Sequence, residues 1–291
     1  THRTPDPHFT APMPDSRQTA LSPRITPLVL AFFRHIVRRY LRRHFRAVRL
    51  AGKLPPLPDG PLLIYANHGS WWDPMVSFFL AEALWPRRRH YAPMDAAMLR
   101  RYRIFTHLGI FPVTQESARG AVEFLRTSAA LLEAGSVVWV TPQGRFVDPQ
   151  ARPLTFKPGL ASLAMRVRPL TVLPLAIEYT FWDERLPELL LRFGEPIVLP
   201  GPLDGTLPRD TAAMDALLIE RLEQTMNHLR ADAITRSGAS FQTLLSGARG
   251  SGGIYAVIQR ALALVTGRPY QPDHTPSTPE QPTSTPPHVR P

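Results

Sequence analysis

"PLLIYANHGSWWDPMVSFFLAEAL", residues 61–84, reads as one strand, one tight turn and one helix. Leu62–Ala66 is a continuous apolar run of strand length, bounded by turn residues. Asn67, Gly69 and Ser70 are residue types that turns favour. Asp73 stands directly before Pro74, a pairing that suits a helix start. The carboxylate caps free N–H groups, and proline brings a preset φ to the first helical position. Residues 74–84 then form an apolar helix. A strand that hands its carboxyl end to a helix is the repeating unit of α/β sheets, and ligands in such sheets sit beyond the strand ends. The turn that holds His68 and Asp73 therefore lies where chemistry is expected.

Working outward, the alternation continues. Strands are predicted over residues 90–94, 110–114, 136–141, 171–178 and 189–193, with Pro174 interrupting the fourth of these. Helices are predicted over residues 95–107, 117–133, 158–167 and 211–231, and Gly135 sits just past the end of the second. This order predicts an α/β domain: a mostly parallel, twisted sheet flanked by helices.

Ahead of it, residues 28–48 repeat apolar side chains at three- and four-residue steps, among them Phe33, Ile36, Val37, Tyr40, Leu41, Phe45 and Val48. Arg34, Arg38, Arg39, Arg42, Arg43, Arg46 and Arg49 fill the rest. The pattern predicts a basic amphipathic helix that either packs on the domain with its arginines in water or lies on anionic lipid. The arginine density favours lipid. The organisation read from the sequence is a disordered leader over residues 1–24, a basic membrane-surface helix over 25–50, the α/β domain over 51–235, a C-terminal helical segment over 236–266 and a disordered Pro/Thr-rich tail over 267–291.

The net charge of +11 points to nucleic acid, an anionic membrane surface or an anionic substrate. The chain has no zinc spacing, no strand motif of an RNA-binding domain and no helix-turn-helix pattern, so nucleic acid is not expected as a partner. With no cysteine, disulfides, thiolate ligands and thiolate nucleophiles are excluded. No stretch approaches the roughly 18 consecutive apolar residues of a membrane-spanning helix.

An imidazole is suited to remove a proton from a hydroxyl near neutral pH, and a carboxylate on its other nitrogen holds the tautomer and stabilises the imidazolium. Five residues across a tight turn can bring His68 and Asp73 together. No G-x-S-x-G elbow accompanies them, so direct attack by a substrate hydroxyl suits the pair better than a covalent enzyme intermediate.

The downstream sequence carries a resemblance. Asn67, His68 and Asp73 spell N-H-x-x-x-x-D, the signature of the glycerol-3-phosphate and lysophosphatidate acyltransferase family. "GIFPV" (109–113), "VTPQGRF" (140–146) and "VLPLAIEY" (172–179) are similar to that family's later blocks, in the same order. "FKPGLASLA" (156–164) is similar to the helix start that follows the third block. The likeness covers about residues 55–205. It implies catalytic roles for His68 as base and Asp73 as its partner, and substrate-binding roles for Asn67, Gly144, Arg145 and Lys157. It implies no metal and no bound cofactor. The donor it implies is a thioester of coenzyme A or acyl carrier protein, and the acceptor is a membrane lipid hydroxyl. An oxyanion then needs stabilising, and backbone N–H groups of the 69–72 turn are the candidates for it. A peripheral place on the cytoplasmic face of the cytoplasmic membrane is the matching expectation.

Two departures from the family pattern stand out. Gln115 replaces an arginine of the second block, and Gln143 replaces the glutamate of the third, where Arg145 and Phe146 also shift the usual order. A glutamine lacks the charge with which an arginine fork clamps phosphate. Arg145, Arg152 and Lys157 are candidates to rebuild an anion site. A lysophospholipid is the first acceptor class; a neutral or glycosylated lipid, or a lipid-binding protein without activity, remains open.

Overall fold

The computed structural model describes residues 23–201, 208 and 210–247. Its strands are β1 (Ala47–Ala51), β2 (Leu62–Ala66), β3 (His90–Asp95), β4 (Ile110–Val113), β5 (Val137–Val140), β6 (Leu170–Thr180), β7 (Glu188–Phe193), β8 (Ile197–Leu199) and β9 (Phe241–Ser246). Its helices are α1 (Pro27–His44), α2 (Asp73–Leu84), α3 (Ala96–Arg101), α4 (Ala118–Glu133), α5 (Gly159–Arg166) and α6 (Thr211–Ile234). The sheet runs β4-β3-β5-β2-β6-β7-β1-β9, with β8 beside β6. Its pairings are parallel except β1–β9, β6–β7 and β6–β8. The predicted α/β architecture is therefore the observed one.

β2 is apolar throughout because both of its faces are covered. Leu63 and Tyr65 point into a core built with Phe124 and Leu132 of α4, Leu160 and Leu163 of α5, and Leu218 and Leu222 of α6. Leu62, Ile64 and Ala66 face the opposite core, where Val37 and Leu41 of α1 meet Val76, Phe79 and Leu80 of α2. A strand sandwiched in this way, between β5 and β6, holds its carboxyl end rigidly.

Pro174 does not end its strand. Its carbonyl accepts from Gly194 N–H, between the segment of β6 that pairs with β8 and the segment that pairs with β7. The missing proline N–H falls in that gap and costs no ladder bond. Gly109 is required where β4 begins: its φ is +82°, and a Cβ there would meet His90 O at 2.3 Å.

Several boundaries differ from the sequence reading. The first helix stops at His44 rather than running on to 48, because Val48 and Leu50 alternate with Arg49 on β1 between β7 and β9. Arg46 and Arg49 consequently leave the helix and pair with Glu184 and Glu188. The predicted helical segment at 236–266 starts with a 3-10 turn (Gly238–Ser240) and then β9, which completes the sheet edge; residues 248–266 lie outside the described residues. The predicted helix over 95–107 breaks at Tyr102 into α3 and a 3-10 turn (Arg103–His107). Arg24 is not leader: its backbone bonds to Thr106 and Gly109. The rest of the predicted leader and the Pro/Thr-rich tail lie outside the described residues. The domain thus extends from α1 to β9 and does not begin at residue 51.

On β3, His90 is held neutral. Trp139 Nε1–H donates to its Nδ1 at 3.1 Å, so Nε2 carries the proton and donates to Trp85 O at 2.9 Å. Burial pulls its pKa down to about 4, against a smaller raising effect of the Trp85 bond, and the Arg88 charge lowers it further. The unfolded chain therefore binds the extra proton between about pH 6.5 and 4, and stability present above that window is lost as pH falls through it. The contribution is on the order of 2–3 kcal/mol. Urea unfolding should show His90→Gln costing less stability at pH 4.5 than at pH 7; an equal cost at both would contradict a neutral buried imidazole.

Candidate active site

The site forms where β2 ends. Asn67 continues the strand with its side chain: Asn67 Nδ2 donates to Ile177 O at 3.0 Å, and Ile177 N donates to Asn67 Oδ1 at 2.8 Å. The buried amide thus fastens the turn to β6. The expectation that Asn67 binds substrate is not what this geometry offers, since both ends of its amide are used by backbone. It positions the residue that follows.

That residue is His68, whose Nδ1 lies 2.7 Å from Asp73 Oδ2. Asp73 is 1% exposed and His68 16%, so the carboxylate is sealed in while the imidazole reaches the surface. Asp73 Oδ2 also accepts from Ser70 N at 3.0 Å, and Oδ1 accepts from the Tyr179 hydroxyl at 2.5 Å. An acceptor-only carboxylate surrounded by these donors places the proton on Nδ1 of a neutral His68 and leaves Nε2 with a free lone pair. Asp73 does not cap α2, contrary to expectation. It sits inside the first turn, and its oxygens are committed to Ser70, His68 and Tyr179 instead of the helix N–H groups.

A second turn lies against the first. Gln143 Oε1 accepts from His68 N at 2.7 Å, and Val147 N donates to His68 O at 2.8 Å. Gln143 therefore supplies the acceptor oxygen that a glutamate would also supply, without the charge. Between these anchors stand Arg145 and Phe146. Arg145 is exposed and makes no hydrogen bond or ion pair among the described residues. Phe146 is 60% exposed, and its ring centroid lies 4.5 Å from that of His68.

Gly144 has φ +64°, and a Cβ there would meet Lys157 Cε at 2.6 Å. This close pass lets Lys157 reach across the turn to donate to Gln115 Oε1 at 3.3 Å. The sequence-predicted residues Gly144 and Lys157 are thus brought together, beside the Gln115 that replaces the family's arginine. Arg152 is not with them: it bonds Pro149 O and Ala151 O and turns toward Asn227 and Glu223 of α6.

In the 69–72 turn, the Ser70 and Trp72 N–H groups are used within the turn, by Asp73 Oδ2 and Ser70 Oγ. Those of Gly69 and Trp71 have no partner among the described residues. No group of three or more His, Asp or Glu side chains among the described residues converges into a metal-binding set.

Residues 42–178, from the last turn of α1 into β6, match the family model Acyltransferase. The chain carries an acyltransferase-family domain. The match includes the dyad and the turn laid against it, and it identifies the protein as an acyltransferase by reaction class. The 1-acyl-sn-glycerophosphate (LPA) acyltransferase PlsC from Thermotoga maritima is similar in its crystal structure over 69% of this chain and 80% of its own, at 17% sequence identity and a TM-score of 0.49. No curated protein matches the sequence.

Sequence reasoning missed Tyr179. It ends a block noticed only as a strand, and its hydroxyl meets a carboxylate 106 residues away in the chain. The one available signal was a tyrosine at the carboxyl end of a strand that should neighbour β2.

Proposed function

We propose that the acyltransferase domain moves a fatty acyl group from a thioester donor to the hydroxyl of a membrane lipid, with His68 as general base. The observation that carries this reading is the 2.7 Å contact from His68 Nδ1 to the buried Asp73, which leaves Nε2 as acceptor at the surface. Nε2 takes the proton of the acceptor hydroxyl as its oxygen attacks the thioester carbonyl. A new C–O bond forms, the C–S bond breaks, and the proton passes from His68 to the departing thiolate of coenzyme A or acyl carrier protein. The N–H groups of Gly69 and Trp71 are the candidates to hold the oxyanion between these steps.

A lysophospholipid suits the acceptor site because Arg145, exposed and unpaired among the described residues, lies on the arc between the two anchors to His68, with Lys157 crossing the same turn. A neutral or glycosylated lipid is the second reading, favoured by the exposed Phe146 ring against the imidazole, which offers an apolar face where a phosphate would be poorly received. Among the described residues no helix is long and apolar enough to cross a membrane. Association with the bilayer is instead assigned to α1. Leu28, Phe32, Ile36 and Tyr40 are exposed along one side of it, interleaved with Arg39 and Arg43, and Trp71 of the catalytic turn is exposed near its end. Ile36 and Tyr40, expected on the inward stripe, face outward; Phe33, Val37 and Leu41 do the packing.

The test is thiol release from palmitoyl-coenzyme A or palmitoyl-acyl carrier protein, with lysophosphatidate, monoacylglycerol and a monoacylated glycolipid as acceptors. The chain has no cysteine and contributes no background. Acceptor-dependent release is expected; binding to anionic vesicles with no release for any acceptor would replace the enzyme reading with a lipid-binding one. In the same preparation, replacing Arg38, Arg39, Arg42 and Arg43 together with glutamine should weaken binding to phosphatidylglycerol vesicles by 10-fold or more, at roughly 1 kcal/mol per basic residue. Unchanged partitioning would confine α1 to a packing role.

A further inference from the structure

Each residue of the N-H-x-x-x-x-D motif is tied to a partner outside it, and β6 supplies two of those ties. Asn67 holds Ile177 through both its amide groups. Two residues on, and so on the same face of the strand, Tyr179 reaches Asp73 Oδ1 at 2.5 Å. The Asn67 bonds set the register of β6 against the turn, and that register brings the Tyr179 hydroxyl to the carboxylate. The ring of Tyr179 is fixed in turn by Phe45, the residue just after α1, at 5.8 Å between centroids, and Phe45 packs edge-on against Trp72 at 4.9 Å. Burial, followed by the charge and hydrogen bond of Asp73, holds the phenol well above the usual tyrosine pKa, so it keeps its proton and donates. Tyr179 lies one residue beyond the segment that matches the family model.

We infer that Tyr179 is a positioning residue of the acyl-transfer site: its hydroxyl fixes the rotation of the Asp73 carboxylate so that Oδ2 faces His68. The inference rests on the dyad reading above. A carboxylate can rotate about its Cβ–Cγ bond, and Ser70 N–H and His68 Nδ1 both hold the same oxygen. Among the described residues, only Tyr179 grips the other one. Without that grip the carboxylate is held through one oxygen alone, its plane can tilt about the Cβ–Cγ bond, and the imidazole loses its fixed orientation. Because Tyr179 makes no hydrogen bond or ring contact to His68, Arg145 or Phe146 among the described residues, its removal acts on the rate of chemistry and not on substrate binding.

The test is Tyr179→Phe, assayed for kcat and KM in the full chain with its melting temperature followed in parallel. A fall in kcat of about 10-fold or more is expected, with KM within about twofold, as befits a lost hydrogen bond to a charged group. In a His68→Ala background the same substitution should change the residual kcat by less than about twofold, because the imidazole it positions is already gone. Phe45→Leu, which loosens the ring without removing the hydroxyl, should leave kcat within about threefold. An unchanged kcat, a loss confined to KM, or equal losses in both backgrounds would each overturn the positioning role. If Tyr179→Phe does not fold, Phe45→Leu decides: a kcat within about threefold supports the positioning role of the hydroxyl, and a collapse of kcat in folded Phe45→Leu would assign Tyr179 to packing. If His68→Ala is inactive and Tyr179→Phe is unaffected, only this inference falls. If His68→Ala is active, the dyad falls with it.

Discussion

His68→Ala should abolish acyl transfer while leaving the protein folded. General-base removal of a proton contributes about 10²–10⁴-fold to such reactions, so the loss should reach about 10³-fold in kcat with little change in donor KM. The fold should survive because little of it depends on this side chain. Among the described residues, the imidazole makes one hydrogen bond, to Asp73, and one ring contact, to the exposed Phe146. After its removal Asp73 Oδ2 still has Ser70 N–H, and Oδ1 still has Tyr179. The backbone anchors to Gln143 and Val147 use the N–H and C=O of residue 68 and are indifferent to its side chain. One lost bond to a charged group is about 1.5–3 kcal/mol, inside the ordinary margin of a domain with about 5–15 kcal/mol of stability. The check is thiol release together with circular dichroism. Normal turnover by a folded variant would remove His68 from the mechanism.

The parts of this fold that could be read in advance are those where one local pattern had one structural meaning. β2 was such a case: five apolar residues between Pro61 and a turn admit few alternatives, and the strand spans Leu62–Ala66 as expected. The facing of His68 and Asp73 was legible for a similar reason, since the turn between them is short. β1 was not legible. "AVRLA" continues the arginine-rich periodicity of α1, and nothing nearby says that the chain has turned into the sheet; its partners are β7 and β9, far along the chain. β9 was missed in the same way, because a short edge strand takes its identity from the strand it pairs with. Gln143 shows the limit at the site. Read as a substitution, it is the loss of a charge. In the structure it is a hydrogen-bond acceptor that ties the second turn to His68, and an acceptor oxygen is common to glutamate and glutamine.

The same wiring makes Asp73 the more informative position. Asp73→Ala removes the acceptor for Ser70 N–H, His68 Nδ1 and the Tyr179 hydroxyl together. It leaves a small polar cavity with unmatched donors, so it should cost both activity, to about the level of His68→Ala, and several kcal/mol of stability. Asp73→Asn is different, because the surroundings dictate which way the amide lies. Ser70 N–H is a fixed donor and demands the amide oxygen at the Oδ2 position. The amide nitrogen must then face Tyr179, whose hydroxyl can turn from donor to acceptor. His68 therefore keeps an acceptor at Nδ1, and with it the tautomer that frees Nε2. What it loses is the negative charge that stabilises the imidazolium as the hydroxyl proton arrives. The expected loss in kcat for Asp73→Asn is about 10²-fold, smaller than for Asp73→Ala, with a melting temperature within a few degrees of the parent. Ranking the two variants by kcat, against their stabilities, separates the charge from the geometry. Equal losses would mean that the amide flips against Ser70 and that the turn is less rigid than its hydrogen bonds imply.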